Sequence, residues 1–233
     1  MVVRELVVDT ETTGIDPRQG HRIIEIGVVE IVDRRLTGND FHVYLNPDRP
    51  SEPGALAVHG LTEEFLQDKA RFPEIVAELL AYLGEDTLII HNAPFDLAFF
   101  QAELERVGRP PLPNPIIDTL LDARKRHPGQ KNDLDSLCRR YGVDNRHRTR
   151  HGALLDCELL AQVYLAMTGG QVELESLMET GSSVGGDREG SFVPQPILRK
   201  AEGVLRVQLA REEELAEHQA YLQRMGNALW QDS

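Results

Sequence analysis

Four carboxylates and one histidine stand where this sequence could assemble a reactive centre. Asp9 and Glu11 lie two apart in Asp-Thr-Glu-Thr-Thr-Gly at 9–14. Asp96 closes His-Asn-Ala-Pro-Phe-Asp at 91–96, and Asp156 closes His-Gly-Ala-Leu-Leu-Asp at 151–156, which His151 opens. Four acids converging on one point repel each other, so the cluster makes sense mainly when divalent metal fills it. Hard oxygen ligands favour Mg²⁺ or Mn²⁺, and the pattern offers neither thiolates nor a ring of histidines for zinc. Two such ions about 3.5–4 Å apart clamp the attacking and leaving oxygens of a phosphoryl displacement. His151, with an ordinary pKa of about 6.5, can take a proton from the attacking water at neutral pH. Singly, each residue has an ordinary explanation: a turn, a helix N-cap, a loop histidine. The combination and its order carry the inference.

These residues need elements to hold them. Glu5–Val8 is short, β-branched and apolar and runs into the Asp9–Gly14 turn, which predicts a first strand. The period of two then puts Asp9 and Glu11 on one face of its end. Strands are expected at 22–32 and, by alternation of Phe41, Val43 and Leu45, at 40–45. Their close succession predicts antiparallel neighbours. From Phe72 the period becomes helical, with Gly84 as the stop. A strand at 87–90, a helix at 95–107, a strand at 116–117, and helices at 120–126, 134–141 and 153–167 follow. Asp96 therefore stands six residues past a strand end, at a helix start, where α/β sheets gather their sites. Strands in a meander followed by alternation with helices predict a mixed α/β layered sheet.

Composition narrows the class. The 233 residues are 41% hydrophobic and 27% charged, which excludes a wholly disordered chain. A net charge of −13 argues against a general nucleic-acid coat protein, whose footprint is basic. Locally the sign reverses: residues 121–150 hold nine basic and four acidic residues, leading straight into His151. Cys138 and Cys157 are too few for a disulfide scaffold or a cysteine zinc site. No run approaches the roughly 18 apolar residues of a membrane helix, and the N-terminus lacks the pattern of a secretory leader. A cytoplasmic protein is expected.

The three motifs resemble those of the DEDD exonuclease superfamily, and His-x4-Asp resembles its histidine subclass. The intervening sequence is similar to one group within it, the epsilon proofreading subunits of bacterial DNA polymerase III. Arg-Leu-Thr-Gly at 35–38, Phe-His-Val-Tyr-Leu at 41–45, Val-His-Gly at 58–60 and the stretch 153–171 carry that resemblance. It implies a ribonuclease-H-like mixed sheet flanked by helices, two divalent cations, and stepwise removal of 3′-terminal nucleotides as 5′-monophosphates. By the same resemblance Asp9, Glu11 and Asp156 are direct metal ligands, Asp96 is the fourth acid, and His151 is the general base. Thr12, His59 and Asn92 fall on contacts to the terminal nucleotide, and Ile15 on an apolar contact to the last bases.

The resemblance also implies partners. An exonuclease domain at 1–170 is expected, then a linker at 171–195, its core at 181–190 rich in Gly and Ser. A polymerase-binding tail is expected at 196–233, moderately apolar but too small for its own core. Residues 171–177 stand where a weak sliding-clamp motif falls, although Leu177 is not aromatic. A small stabilising subunit is a further candidate partner; a membrane is not. Three other readings stay open: a stand-alone exoribonuclease, a structural replisome subunit with a decayed site, and a metal-dependent endonuclease on a similar sheet. The tail speaks against the first, the five intact site residues against the second, and His-x4-Asp against the third.

Overall fold

A computed structural model describes residues 2–148 and 150–179, with the backbone alone from 170 onward. Its strands are β1 (Arg4–Thr12), β2 (Ile23–Val32), β3 (Arg35–Leu36), β4 (Phe41–Tyr44), β5 (Thr87–Ile90) and β6 (Ile116–Asp118). Its helices are α1 (Pro53–His59), α2 (Glu63–Leu66), α3 (Phe72–Leu83), α4 (Ala93–Arg106), α5 (Thr119–Arg126), α6 (Leu134–Tyr141) and α7 (Ala153–Glu179). One sheet runs β3-β2-β1-β5-β6, with β4 also paired to β2. β2 is antiparallel to β1, β3 and β4, whereas β1, β5 and β6 are mutually parallel. The meander is thus antiparallel and the crossover strands parallel, as short and long connections require.

Alternation along β1 divides the interior. Leu6 and Val8 join a core with α3 and α4 built around Phe72, Leu79, Phe99 and Phe100. Val7 joins the opposite core with α6 and α7, around Leu137, Cys138, Cys157 and Leu160. Both faces of β1 and β2 are covered, so these strands read as near-continuous apolar runs. Asp9 and Glu11 share the parity of Val7 and face α7; Thr10 shares that of Leu6 and faces α4.

The expected strands and helices are present, most within two residues. Two differences are informative. The short helices α1 and α2 are missed by periodicity, being too brief to show it. The last helix runs to Glu179 rather than stopping at Met167; Gly169 and Gly170 lower helix propensity by about 1 kcal/mol each without blocking a hydrogen bond.

The chain divides into a unit of Met1–Val184 and a second of Gly185–Ser233. The second unit, with the expected tail at 196–233, lies outside the described residues, as do the side chains of the 171–177 motif. Both cysteines are buried and free. Among the described residues no helix is long and apolar enough to cross a membrane.

Candidate active site

Asp9 and Glu11 ride on the last turns of the pleat in β1, pinned by antiparallel pairing to Gly27 and Glu25 of β2. The register shifts between Glu11 and Thr12, ending the regular ladder just past the two acids. Gly27 lets α7 dock there. A Cβ at Gly27 would lie 2.4 Å from the Ala153 carbonyl carbon and 2.5 Å from the Leu154 nitrogen. The Cys157 thiol donates to the Gly27 carbonyl at 3.2 Å, fixing the next turn of the helix. Asp156, one residue earlier, is thereby held against β1. The signal for Gly27 was a glycine inside an apolar strand, which often marks a close backbone approach.

Asp96 arrives from the other side of the sheet, in the first turn of α4. Thr10 Oγ1 donates to its Oδ1 at 2.6 Å. The helix begins at Asn92, which adopts the left-handed conformation (φ 68°, ψ 51°) and whose N–H is 3.3 Å from Asp118 Oδ1. This short polar residue tolerates that turn better than a branched one.

Ligand atoms of Glu11, His151 and Asp156 all lie within 4.8 Å of one another. Asp9, Glu11, Asp96, Asp156 and His151 line a single cavity of about 840 Å³. Its other wall comes from 130–135 and α5, with Arg124 and Lys131. Burial, then repulsion from Asp156 and Glu25, pushes Glu11 up to about 8. Burial pushes Asp96 up to about 7, against the hydrogen bonds it accepts. Asp9 is held well above the carboxylate range by burial and the fields of Asp96, Asp156 and Glu11. A cluster that resists its own ionisation and offers hard oxygens fits a divalent cation.

His151 is half-exposed, and burial with the Arg148 charge lowers its pKa while Asp156 opposes. Its N–H bonds to the Val58 carbonyl at 3.3 Å, tying the loop to α1. Arg148 bridges His151 and Asp156. Its Nε donates to Asp156 Oδ1 at 2.6 Å and its Nη2 to Oδ2 at 2.7 Å. Nη1 donates to Asp135 Oδ1 at 3.0 Å, and Nη2 also donates to His151 Nδ1 at 2.9 Å. Burial disfavours its charge, but Asp156 and Asp135 outweigh that and raise its pKa. Arg148 and Asp135 were missed as site residues; the sequence showed only a basic block. Much of that block pairs locally, as Arg146 does with Asp144 and Lys125 with Asp122.

The remaining sequence-predicted residues are less gathered. Asn92 lines the cavity above and a second of about 1040 Å³, which Ile15 and Phe95 also line. Ile15 is 79% exposed, unusual for an isoleucine beside a polar cleft. Thr12 and His59 line neither cavity. Thr12 is buried, and its hydroxyl donates to the Gly14 carbonyl at 2.7 Å. His59 is the last residue of α1, before its Gly60 cap, and is buried; Nδ1 accepts from the Leu61 N–H at 2.9 Å, and Nε2 has no protein partner.

Comparison with known proteins matches this architecture. The exonuclease family matches residues 6–164, and the chain belongs to it. Within that class it is 47% identical to the DNA polymerase III subunit epsilon of Escherichia coli K12, over 98% of both chains. It is 49% identical to the Haemophilus influenzae protein of the same name over 76% of this chain and 73% of that one. It belongs to the DNA polymerase III epsilon-subunit family. Among solved structures, exonuclease X in complex with 5′-overhanging duplex DNA is similar at 27% identity and a TM-score of 0.59, covering 72% of this chain and 93% of that one. The nuclease domain of 3′hExo, a DEDDh protein bound to rAMP, shares the fold at 19% identity and a TM-score of 0.62, covering 72% and 92%.

Proposed function

We propose that this protein is the 3′–5′ exonuclease that proofreads for a replicative DNA polymerase, removing mispaired 3′-terminal nucleotides as 5′-monophosphates. The observation that carries the reading is the convergence of four acids and His151 in one cavity, in a chain so similar to epsilon subunits over its whole length. Asp9, Glu11 and Asp156 would hold divalent cations, and Asp96, anchored by Thr10, would complete the set. Two such cations, Mg²⁺ or Mn²⁺, supply the positive charge and Lewis acidity that phosphodiester cleavage requires.

The chain's own residues do the rest. His151 takes the proton of the attacking water; its depressed pKa keeps the imidazole neutral and basic at cellular pH. Asn92 and the exposed Ile15 flank the 3′ end, with the apolar side chain against the last bases. His59, through its unpartnered Nε2, contacts the terminal nucleotide, while Thr12, whose buried hydroxyl donates to the Gly14 carbonyl, holds the turn after β1 beside it. Selection of mispairs follows from fraying: a mismatched end enters a single-strand site at a lower unpairing cost. Arg124 and Lys131 offer the strand a basic wall inside an otherwise acidic protein.

Residues 196–233 tether the nuclease to the polymerase subunit in the cytoplasm, and 171–177 give a weak clamp contact. The test is digestion of a mismatched primer–template combined with co-purification. The full chain is expected to shorten the mispaired primer faster than the paired one and to bring down the polymerase subunit. Removal of 181–233 should spare digestion and lose the subunit. Retained co-purification by that truncation would contradict the tether, and preference for RNA ends with no polymerase association would overturn the proofreading role.

A further inference from the structure

Arg148 is the cation nearest the acids, and its position has a consequence for metal loading. Its side chain is 8% exposed and that of Asp156 is 5% exposed, so neither group is solvated by bulk water. The fork takes both oxygens of Asp156 at 2.6 and 2.7 Å, a bidentate charge-assisted pair of the strong kind. The nitrogen on Oδ2 also donates to His151 Nδ1, and since arginine has no acceptor that ring nitrogen carries no proton. One guanidinium thus engages a proposed metal ligand and the lone pair of the proposed base together. A divalent ion on Asp156 would meet both an occupied carboxylate and a neighbouring positive charge.

The arginine has another place to go. Asp135, in the first turn of α6, accepts Nη1 at 3.0 Å and also accepts Asn145 Nδ2 at 2.9 Å. It is not among the grouped ligands Glu11, His151 and Asp156. The Asn145 bond ties Asp135 to the same loop that carries Arg148, so the guanidinium can leave Asp156 and keep a carboxylate partner.

We infer that Arg148 is a built-in counter-cation that competes with the divalent ion for Asp156, with Asp135 as the partner that retains the arginine once Asp156 is surrendered. The inference rests on the reading of Asp156 as a metal ligand. It gives a sign opposite to that of a supporting role. Removing a residue that merely braces the site weakens metal binding, whereas removing a competitor strengthens it.

The experiment is calorimetric titration of Mn²⁺ into the full chain after EDTA treatment and dialysis, alongside thermal melts. Arg148→Gln is expected to lower the Mn²⁺ dissociation constant about tenfold and to enlarge the rise in Tm on adding Mn²⁺. Asp135→Asn is expected to raise the constant several-fold, and the double variant to match R148Q alone, because Asp135 then has no arginine to retain. If R148Q does not fold, Arg148→Lys carries the test: it keeps a charge but loses the fork, and the constant should still fall. A constant that is unchanged or higher in R148Q, or in R148K where that variant stands in, overturns the inference. So does an effect of D135N that persists in full in the R148Q background. If instead the wild-type chain takes up no Mn²⁺, or takes it up equally well with Asp156→Asn, the metal-ligand reading fails, which is a distinguishable result.

Discussion

Asp9 and Glu11 sit on the central strand, between two packed layers, whereas Arg148 and His151 sit on a polar loop that joins α6 to α7. The first pair is fixed by backbone pairing to β2, on a strand whose preceding residues Glu5–Val7 pair with the parallel β5. The second is fixed by side-chain bonds to Asp135 and Asp156 and by one backbone bond to α1. Burial is what makes the acids expensive to ionise and therefore eager for a cation. Exchangeable side-chain bonds are what allow the loop to release one partner and take another. A rigid acidic floor and a polar flank are complementary: on the proposed reading the floor would set where a cation binds, and the flank would set when His151 is free.

The sharpest way to break that contrast is on the floor. Asp9→Asn should lower 3′-end hydrolysis on the order of 10³-fold, since charge stabilisation by bound metal is worth several kcal/mol. The same variant should raise the melting temperature of EDTA-treated protein, because a buried, self-repelling carboxylate is gone. An Asn variant with near wild-type turnover on a 3′-labelled oligonucleotide would remove Asp9 from the chemistry.

On the flank, His151→Ala should cost roughly 10²–10³-fold in turnover, within the range of a lost general base. Mg²⁺ binding by calorimetry should stay largely intact, separating proton transfer from metal holding. Next comes the joint between the regions. Gly27→Ala drives a Cβ into the backbone of Ala153 and Leu154, and should destabilise by about 1–3 kcal/mol. Urea melts are expected to show a lower midpoint with an unchanged slope.

The pH dependence is a smaller effect with a definite sign. Glu11 is raised to about 8 and Asp96 to about 7, so the folded state keeps protons that the unfolded chain has released. Stability of EDTA-treated protein should therefore fall as pH rises from about 5 through 8, by a few degrees in Tm. Added Mn²⁺ should recover most of that loss at the alkaline end; a Tm that climbs over this range would contradict the buried floor. Smallest of all, Asp144→Ala removes an exposed pair with Arg146 on the flank and should change stability by no more than about 0.5 kcal/mol.

Much of this was legible in the chain itself. Three carboxylate motifs in a given order, a histidine five residues before the last acid, and the switch from period two to period 3.6 are local features, and local features survive in a linear string. They sufficed for the mixed sheet, for Asp9 and Glu11 on one face, and for Asp96 at a helix start. Spatial relations were not legible. Gly27 read as an ordinary strand residue until α7 was found resting on it, and Thr10 as a turn residue until Asp96 came round the sheet to meet it. Arg148 looked like one member of a basic run, because charge along a sequence does not say which cation turns inward. Which acids share a cavity, and which arginine answers them, depends on contacts between residues far apart in the chain. Those contacts exist only once both faces of β1 are packed, and only the tertiary structure supplies them.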